Sequence, residues 1–205
     1  MARPPKALLS RRGIAEEALR LVEEEGMEAL TTRRLAKRLG VEGPSLYNHI
    51  ANRDDLLDEM TSVIDEDVDP SLLEHEDWRE GIAAFARCYR RCFSVRPELV
   101  AVIASRPVRH VTALTAYDAA FAVFAGWGWD ARKAATVMAA IDYLVLGSAI
   151  ETFKGGFDRK PAEYAGEYPH LARALDGTTD DDVDDLGFEL GLRALIGSLE
   201  EDQRS

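Results

Sequence analysis

Residues 31–57, TTRRLAKRLGVEGPSLYNHIANRDDLL, leave the chain few ways to fold. Thr31 or Thr32 opens a helix whose apolar residues Leu35, Ala36 and Leu39 share one face. Gly40 ends it, because a residue without a Cβ enters the left-handed conformation at least cost, and Val41 is the apolar residue that usually follows. Pro44 is pre-set for the first turn of a second helix, with Leu46 and Ile50 four apart on its inner side. Asn52 then caps a third, and Asp54 and Asp55 sit favourably against its N-terminal dipole. The middle helix is too short to hold itself in water, so packing must hold it. Its outer side shows Ser45, Tyr47, Asn48 and His49, where an ordinary surface helix carries Lys and Glu. Two short helices about a glycine turn, buttressed by an earlier one, make a helix-turn-helix, whose second helix sits in a DNA groove.

The formal net charge of −12 argues against a nucleic-acid partner, but its distribution argues the other way. Residues 1–53 hold ten Lys/Arg and seven Asp/Glu, a net of +3, which leaves −15 for residues 54–205. Residues 1–12 carry four basic side chains and no acid, and RRLAKR at 33–38 adds four more. A basic head on an acidic body meets phosphate in one orientation only. Hydroxyls and an imidazole suit phosphate oxygens, and Asn48 has the donor and acceptor that bond an adenine edge bidentately.

The rest of the chain reads as helix, with no alternating run of the strand kind, so the fold class is all-α. A first helix covers about residues 11–25, with Ile14, Ala18, Leu21 and Val22 as its stripe and Gly26 as its stop. The helix capped by Asn52 runs until Pro70. Longer ones follow from Asp77 through Phe93, from Pro97, from Pro107 to about Ala125, and from Asp130 to about Phe153. Residues 155–182 read as a loop with a short helix near 170–175, and a last helix runs from about Val183 to Glu201. A composition of 46% hydrophobic and 30% charged residues excludes a disordered chain. No apolar window is long enough to span a bilayer, the N-terminus lacks the apolar core of a signal peptide, and two cysteines make no disulfide framework, so the expected compartment is the cytoplasm.

The run LTTRRLAKRLGVEGPSLYNHIANRDDLLDEM resembles the DNA-binding head of the tetracycline-repressor (TetR) family almost position for position, over roughly residues 10–65. The resemblance implies that Thr31, Thr32, Ser45, Tyr47, His49 and Arg53 contact phosphates, and that Arg33, Pro44 and Asn48 lie nearest to base edges. The family often has a longer polar side chain at the position of Gly43, which stands among the candidate DNA contacts, and the operator is expected to read differently at that step. Lys6, Arg11 and Arg12 are placed to anchor an N-terminal arm. The implied domains are a helix-turn-helix DNA-binding domain, 1–53, and a ligand-binding and dimerisation domain, 54–205, with the helix after Asn52 shared between them.

In the second domain SRP at 105–107, LGSAIE at 146–151 and FELGLRALIGSLE at 188–200 are similar to the tetracycline-repressor branch itself. There an Arg-Pro step and a late Glu line the drug pocket, which implies Arg106, Pro107 and Glu151 here. The branch holds its drug as a magnesium chelate through a His that falls at Val102, and an Asn and a Phe of its first long helix are replaced here by Phe85 and Tyr89. The chelate chemistry is therefore not expected. Phe85, Tyr89, Val102, Arg106, Tyr117, Phe121, Met138, Asp142, Tyr143 and Glu151 form the candidate pocket, suited to a planar or amphipathic organic molecule. Aromatic stripes at helical spacing are equally the mark of a plain core. Leu186, Leu190, Leu195 and Leu199 form the candidate dimer face, with Gly187 and Gly191 leaving room for a close helix crossing.

Other chemistry is thin. Cys88 and Cys92 share a helix face and read as packing residues; a redox switch is the sharper alternative. Residues 65–76 imitate a calcium loop, but Pro70 stands where that loop needs Gly. The four His have no ligand spacing, and no nucleophile has a base at a recognisable spacing, so neither a metal, a cofactor nor an enzyme is expected. The expected function is a homodimeric repressor that binds a palindromic operator and is released by a small organic effector. The alternative is a DNA-binding regulator with no small-molecule ligand, switched by a protein partner.

Overall fold

The computed structural model describes residues 9–150, 153, 156–178 and 183–204, and all regular structure among them is helical. The helices are α1 (Arg11–Glu25), α2 (Thr32–Leu39), α3 (Gly43–Tyr47), α4 (Arg53–Asp65), α5 (Trp78–Ser94), α6 (Pro97–Ile103), α7 (Val111–Gly126), α8 (Ala131–Ala149), α9 (Pro161–Tyr164), α10 (Pro169–Asp176) and α11 (Val183–Arg204). Short 3-10 turns lie at Met27–Ala29 and Pro70–Leu73. Residues through Val68 together with Glu98–Asp118 make one compact unit, and Asp69–Pro97 together with residues from Ala119 onward make a second.

Polar caps set five of the helix starts. The side chains of Ser10, Thr31, Asn52, Asp77 and Asp130 each accept a hydrogen bond from a backbone N–H two or three residues on, satisfying one of the donors a helix N-terminus leaves unpaired. Of the two threonines, Thr31 is therefore the cap. Gly40 has φ 65°, and its N–H reaches the Lys37 carbonyl while that of Val41 reaches the Ala36 carbonyl. This paired closure is open to Gly at little cost.

In the first unit α1 packs along α4, and Ile14, Ala18, Leu21, Leu35, Met60 and Ile64 are almost wholly withdrawn from water. In the second, α5, α8 and α11 pack on one another around Ile82, Phe85, Val137, Ile141, Phe188 and Leu192. Phe124, Trp127 and Trp129 stack within 5.3 Å of one another, with Trp78 edge-on to Trp129 at 5.8 Å. Ion pairs lace α5 to α11: Arg87 grips Glu189 with two bonds of 2.7 and 2.8 Å, Arg79 meets Glu200, and Arg90 meets Asp185. A Cβ on Gly191 would lie 2.6 Å from Leu144 Cδ1, so Gly191 serves the packing of α11 on α8 within the chain.

Several expected boundaries move. The chain does not turn helical at Pro107; α7 begins at Val111, where the His110 ring accepts from the Ala113 N–H at 3.5 Å and caps the helix. Its other ring nitrogen lies 3.2 Å from Asp65. Helix α8 ends at Ala149 rather than near Phe153, and Phe153 is exposed. The short helix expected near 170–175 is α10, and α9 is a further turn of helix in the expected loop 155–182; each is opened by a proline in its first turn.

Two outcomes follow for the second unit. A Cβ on Gly81 would sit 2.9 Å from the Leu73 carbonyl oxygen, a backbone atom that cannot swing away. Gly81→Ala should therefore lower stability by about 1–3 kcal/mol through overpacking, outweighing the ~1 kcal/mol that helix propensity returns; a raised melting temperature would contradict this. The hydrogen bonds from Arg87 hold the Glu189 carboxyl below its ordinary value, against a smaller opposing effect of burial. A depressed folded-state value stabilises above the unfolded value, roughly pH 4.3, and is lost as pH falls through the folded one. Arg87→Met should thus lower the melting temperature more at pH 7 than at pH 3.

Candidate nucleic-acid interface

The recognition segment is shorter than its apolar spacing implies. Helix α3 is a single turn: the Ser45 N–H closes on the Glu42 carbonyl at 2.9 Å, and those of His49 and Ile50 both close on the Leu46 carbonyl at 3.0 and 2.9 Å. The backbone leaves the helix after Tyr47 yet keeps turning, which brings Ile50 beneath Leu46. Both are buried, at 4% and 6% exposure. Facing away from them, Pro44, Tyr47 and Asn48 are exposed, with Tyr47 at 58%, while Gly43, Ser45 and His49 are half-buried.

Two grooves flank this turn. One, of about 430 Å³, has an apolar floor including Leu35, Leu46, Ile50 and Leu56, and Thr31, Thr32, Tyr47 and Arg53 on its lining. The Thr32 and Tyr47 hydroxyls are 3.5 Å apart across it, and Arg53 reaches the Leu30 carbonyl with one nitrogen at 3.4 Å. Thr31 uses its oxygen lone pair as the α2 cap, which leaves its O–H to donate outward. The other groove, of about 610 Å³, is lined by Ser45, Asn48 and His49 together with Ser10, Gly13 and Arg20. The candidate DNA-contacting residues Thr31, Thr32, Arg33, Gly43, Pro44, Ser45, Tyr47, Asn48, His49 and Arg53 therefore all belong to α2, α3, the turn that follows it and the start of α4.

The basic run at 33–38 is divided by the helix. Arg34 pairs with Glu25 at 2.9 Å, and Arg38 pairs with Glu17 and Glu24 at 2.5 and 2.6 Å. Hydrogen bonding to Arg38 draws the Glu24 carboxyl below its ordinary value; burial pushes Glu17 up, but the bonds from Arg38 and Arg20 outweigh it. Arg33 and Lys37, one turn apart on the other side of α2, are exposed and have no acidic partner among the described residues. Arg11 and Arg12 are both taken up by acids: Arg11 binds Asp55 and Glu59, and Arg12 binds Glu16 and Glu66. Lys6 lies outside the described residues. Lys37, counted in the basic run RRLAKR but not among the candidate contacts, joins Arg33 on the exposed face of α2 through its spacing of four.

The candidate pocket residues divide between the units. Val102, half-buried, and Tyr117 belong to the first, as does Arg106. Arg106 is not a spare polar fixture: it donates to the Asp54 carboxylate at 2.7 Å, the Asp54 carbonyl at 3.1 Å and Asp58 at 2.8 Å, all on α4. In the second unit Phe85 and Met138 are buried, Tyr89 has its ring 6.0 Å from Phe85, and Phe121 has its ring 6.3 Å from Phe124. Asp142 is half-buried on α8, Tyr143 stands out at 78% exposure, and Glu151 lies outside the described residues. On α11 Leu186 and Leu190 are exposed and Leu195 is half-buried; Leu199 is buried in its own unit and so is taken from the candidate dimer face. Among the described residues no cluster of His, Cys, Asp and Glu is placed to hold a metal, and no helix is long and apolar enough to cross a membrane.

Residues 14–60 match the family described as bacterial regulatory proteins, tetR family, and residues 70–202 match the tetracyclin repressor-like C-terminal domain. The tetracycline repressor protein class C of Escherichia coli is 30% identical, covering 94% of this chain and 91% of its own. The HTH-type transcriptional repressor DrrR1 of Streptomyces coeruleorubidus is 27% identical over 97% of this chain and 80% of its own. Among solved structures, ActR of Streptomyces coelicolor in complex with actinorhodin superposes with a TM-score of 0.78 at 26% identity, covering 96% of this chain and 99% of that one. These relatives are regulators, not enzymes. The chain belongs to the TetR family of DNA-binding transcriptional regulators.

Proposed function

We propose that the protein is a cytoplasmic homodimeric repressor that holds a near-palindromic operator and releases it when a small organic effector binds. The observation that carries this reading is the contrast between two sides of the head. On one, Arg34 and Arg38 are tied to acids of α1; on the other, Arg33, Lys37 and Tyr47 remain exposed beside a recognition turn with its apolar residues buried. In this reading Thr31, Thr32, Ser45, Tyr47, His49 and Arg53 meet phosphate oxygens from the two grooves, and Arg33, Pro44 and Asn48 lie against base edges. Dimerisation is supported by Tyr143, Leu186 and Leu190, large side chains left 58–78% exposed on α8 and α11, which a twofold-related copy would cover. Two heads then meet half-sites roughly 34–36 Å apart.

The relatives support a ligand, since ActR is solved with actinorhodin. The effector here is a planar or amphipathic organic molecule met by aromatic side chains such as Tyr89, Tyr117 and Phe121. Val102 removes the imidazole on which a magnesium chelate would depend, so binding does not require magnesium. Release requires the effector to favour the DNA-free state by several kcal/mol, up to about 5.5 for a complete switch.

Fluorescence anisotropy with DNA from upstream of the protein's own gene, against a shuffled duplex and across a salt series, tests the first half. Wild type should prefer the upstream duplex with a steep salt slope, and Tyr47→Ala should lose that preference. Equal, weak binding to both duplexes would count against the operator reading. Once an effector is found, its addition should release the operator equally well with or without magnesium; a strict magnesium requirement would overturn the assignment at Val102.

A further inference from the structure

The first residue of α1 is far from the recognition turn in sequence and bonded to it in space. The Arg11 Nη1 donates to the His49 carbonyl at 2.6 Å and to Asp55 Oδ2 at 3.1 Å, Nη2 donates to Asp55 Oδ1 at 2.5 Å, and Nε donates to Glu59 Oε2 at 3.0 Å. Asp55 Oδ2 in turn accepts the Ala51 N–H at 2.7 Å. One guanidinium thus collects a carbonyl at the end of the recognition turn, the link into α4, and two acids one turn apart on α4. Resting on the DNA-binding reading above, we infer that Arg11 is a positioning residue of the interface, fixing the recognition turn against α4 without touching DNA.

The geometry requires arginine. A planar fork meets both oxygens of Asp55 side by side and still has donors directed at Glu59 and at a carbonyl; an ammonium is a point charge that satisfies one of these directions at a time. His49 is the residue after Asn48 and the second after Tyr47, so the carbonyl that Arg11 holds sits next to the outward face. The bonds shift both partners in the consistent sense: hydrogen bonding to Asp55 raises Arg11, and Arg11 lowers Asp55.

Charge and position make opposite demands, which gives a clean test. Removing a negative charge from a DNA-binding head should by Coulomb attraction alone tighten DNA binding. If Asp55 instead serves to hold Arg11 and Ala51, its loss weakens operator binding. Wild type, Arg11→Lys and Asp55→Asn are compared on the operator and on a shuffled duplex, with circular dichroism melts to verify that each is folded at the assay temperature. Both variants should lose about tenfold or more in operator affinity, while Arg11→Lys, which keeps its charge, should bind the shuffled duplex as wild type does. Wild-type operator affinity in Arg11→Lys, or tighter binding by Asp55→Asn, overturns the inference.

A second readout does not depend on DNA. Amide hydrogen exchange over residues 47–51 of the free protein should speed up in both variants, while α5 and α11 keep their wild-type rates. Unchanged exchange there overturns the role of Arg11 even if the operator reading holds. Faster exchange in a protein whose wild type fails to discriminate the duplexes would locate the failure in the operator reading instead.

Discussion

The head depends on keeping Leu46 and Ile50 out of water. A five-residue helix fixes its dihedrals for scarcely one turn of hydrogen bonds, and nucleation alone makes that unfavourable in isolation. Burying each of the two side chains contributes about 1.5–3 kcal/mol, enough to hold the turn only because a finished surface awaits them. That surface is supplied by buried residues such as Ile14 on α1, Leu35 on α2 and Leu56 on α4. The recognition turn therefore inherits its orientation from the helices it packs on.

Around that apolar centre, charge is arranged mainly as a set of internal ties. Helix α4 is acidic along much of its length, and its carboxylates are distributed among partners from different directions: Asp55 and Glu59 to Arg11, Asp54 and Asp58 to Arg106, with Asp65 3.2 Å from the His110 ring. Ser62 adds a hydroxyl contact to Thr112 at 2.8 Å. Individually, such partly exposed pairs are worth at most about 1 kcal/mol and exchange partners readily. Collectively they specify where α4 sits.

Much of this was legible in the sequence, for a physical reason. Helix ends at Thr31, Gly40, Asn52, Asp77 and Asp130 are written in local chemistry, since a cap needs only its own side chain and the next few amides. The inward pair Leu46 and Ile50 followed from spacing alone. Partnerships between distant residues were not visible: nothing in RRLAKR says that Arg34 and Arg38 turn back to Glu17, Glu24 and Glu25, or that Arg106 is held by Asp54 and Asp58. Pro107 misled because proline is favoured in a first helical turn, yet here the helix waits for the His110 cap. Leu199 misled because an apolar position on a terminal helix does not reveal whether its own chain or another covers it.

The segregation of the recognition turn into two buried residues and a set of outward ones has a consequence for how such a chain changes over generations. Folding rests on Leu46, Ile50 and the ties beneath them, whereas Pro44, Tyr47 and Asn48 contribute little that the core would miss. Substitutions among the outward positions cost little stability, because exposed side chains away from caps and packing are nearly neutral. On the proposed reading, specificity and foldability are thereby held in separate residues only one position apart along the chain. A lineage with this head is free to acquire a new target site by changing what the turn displays, without first having to gather spare stability to survive the change.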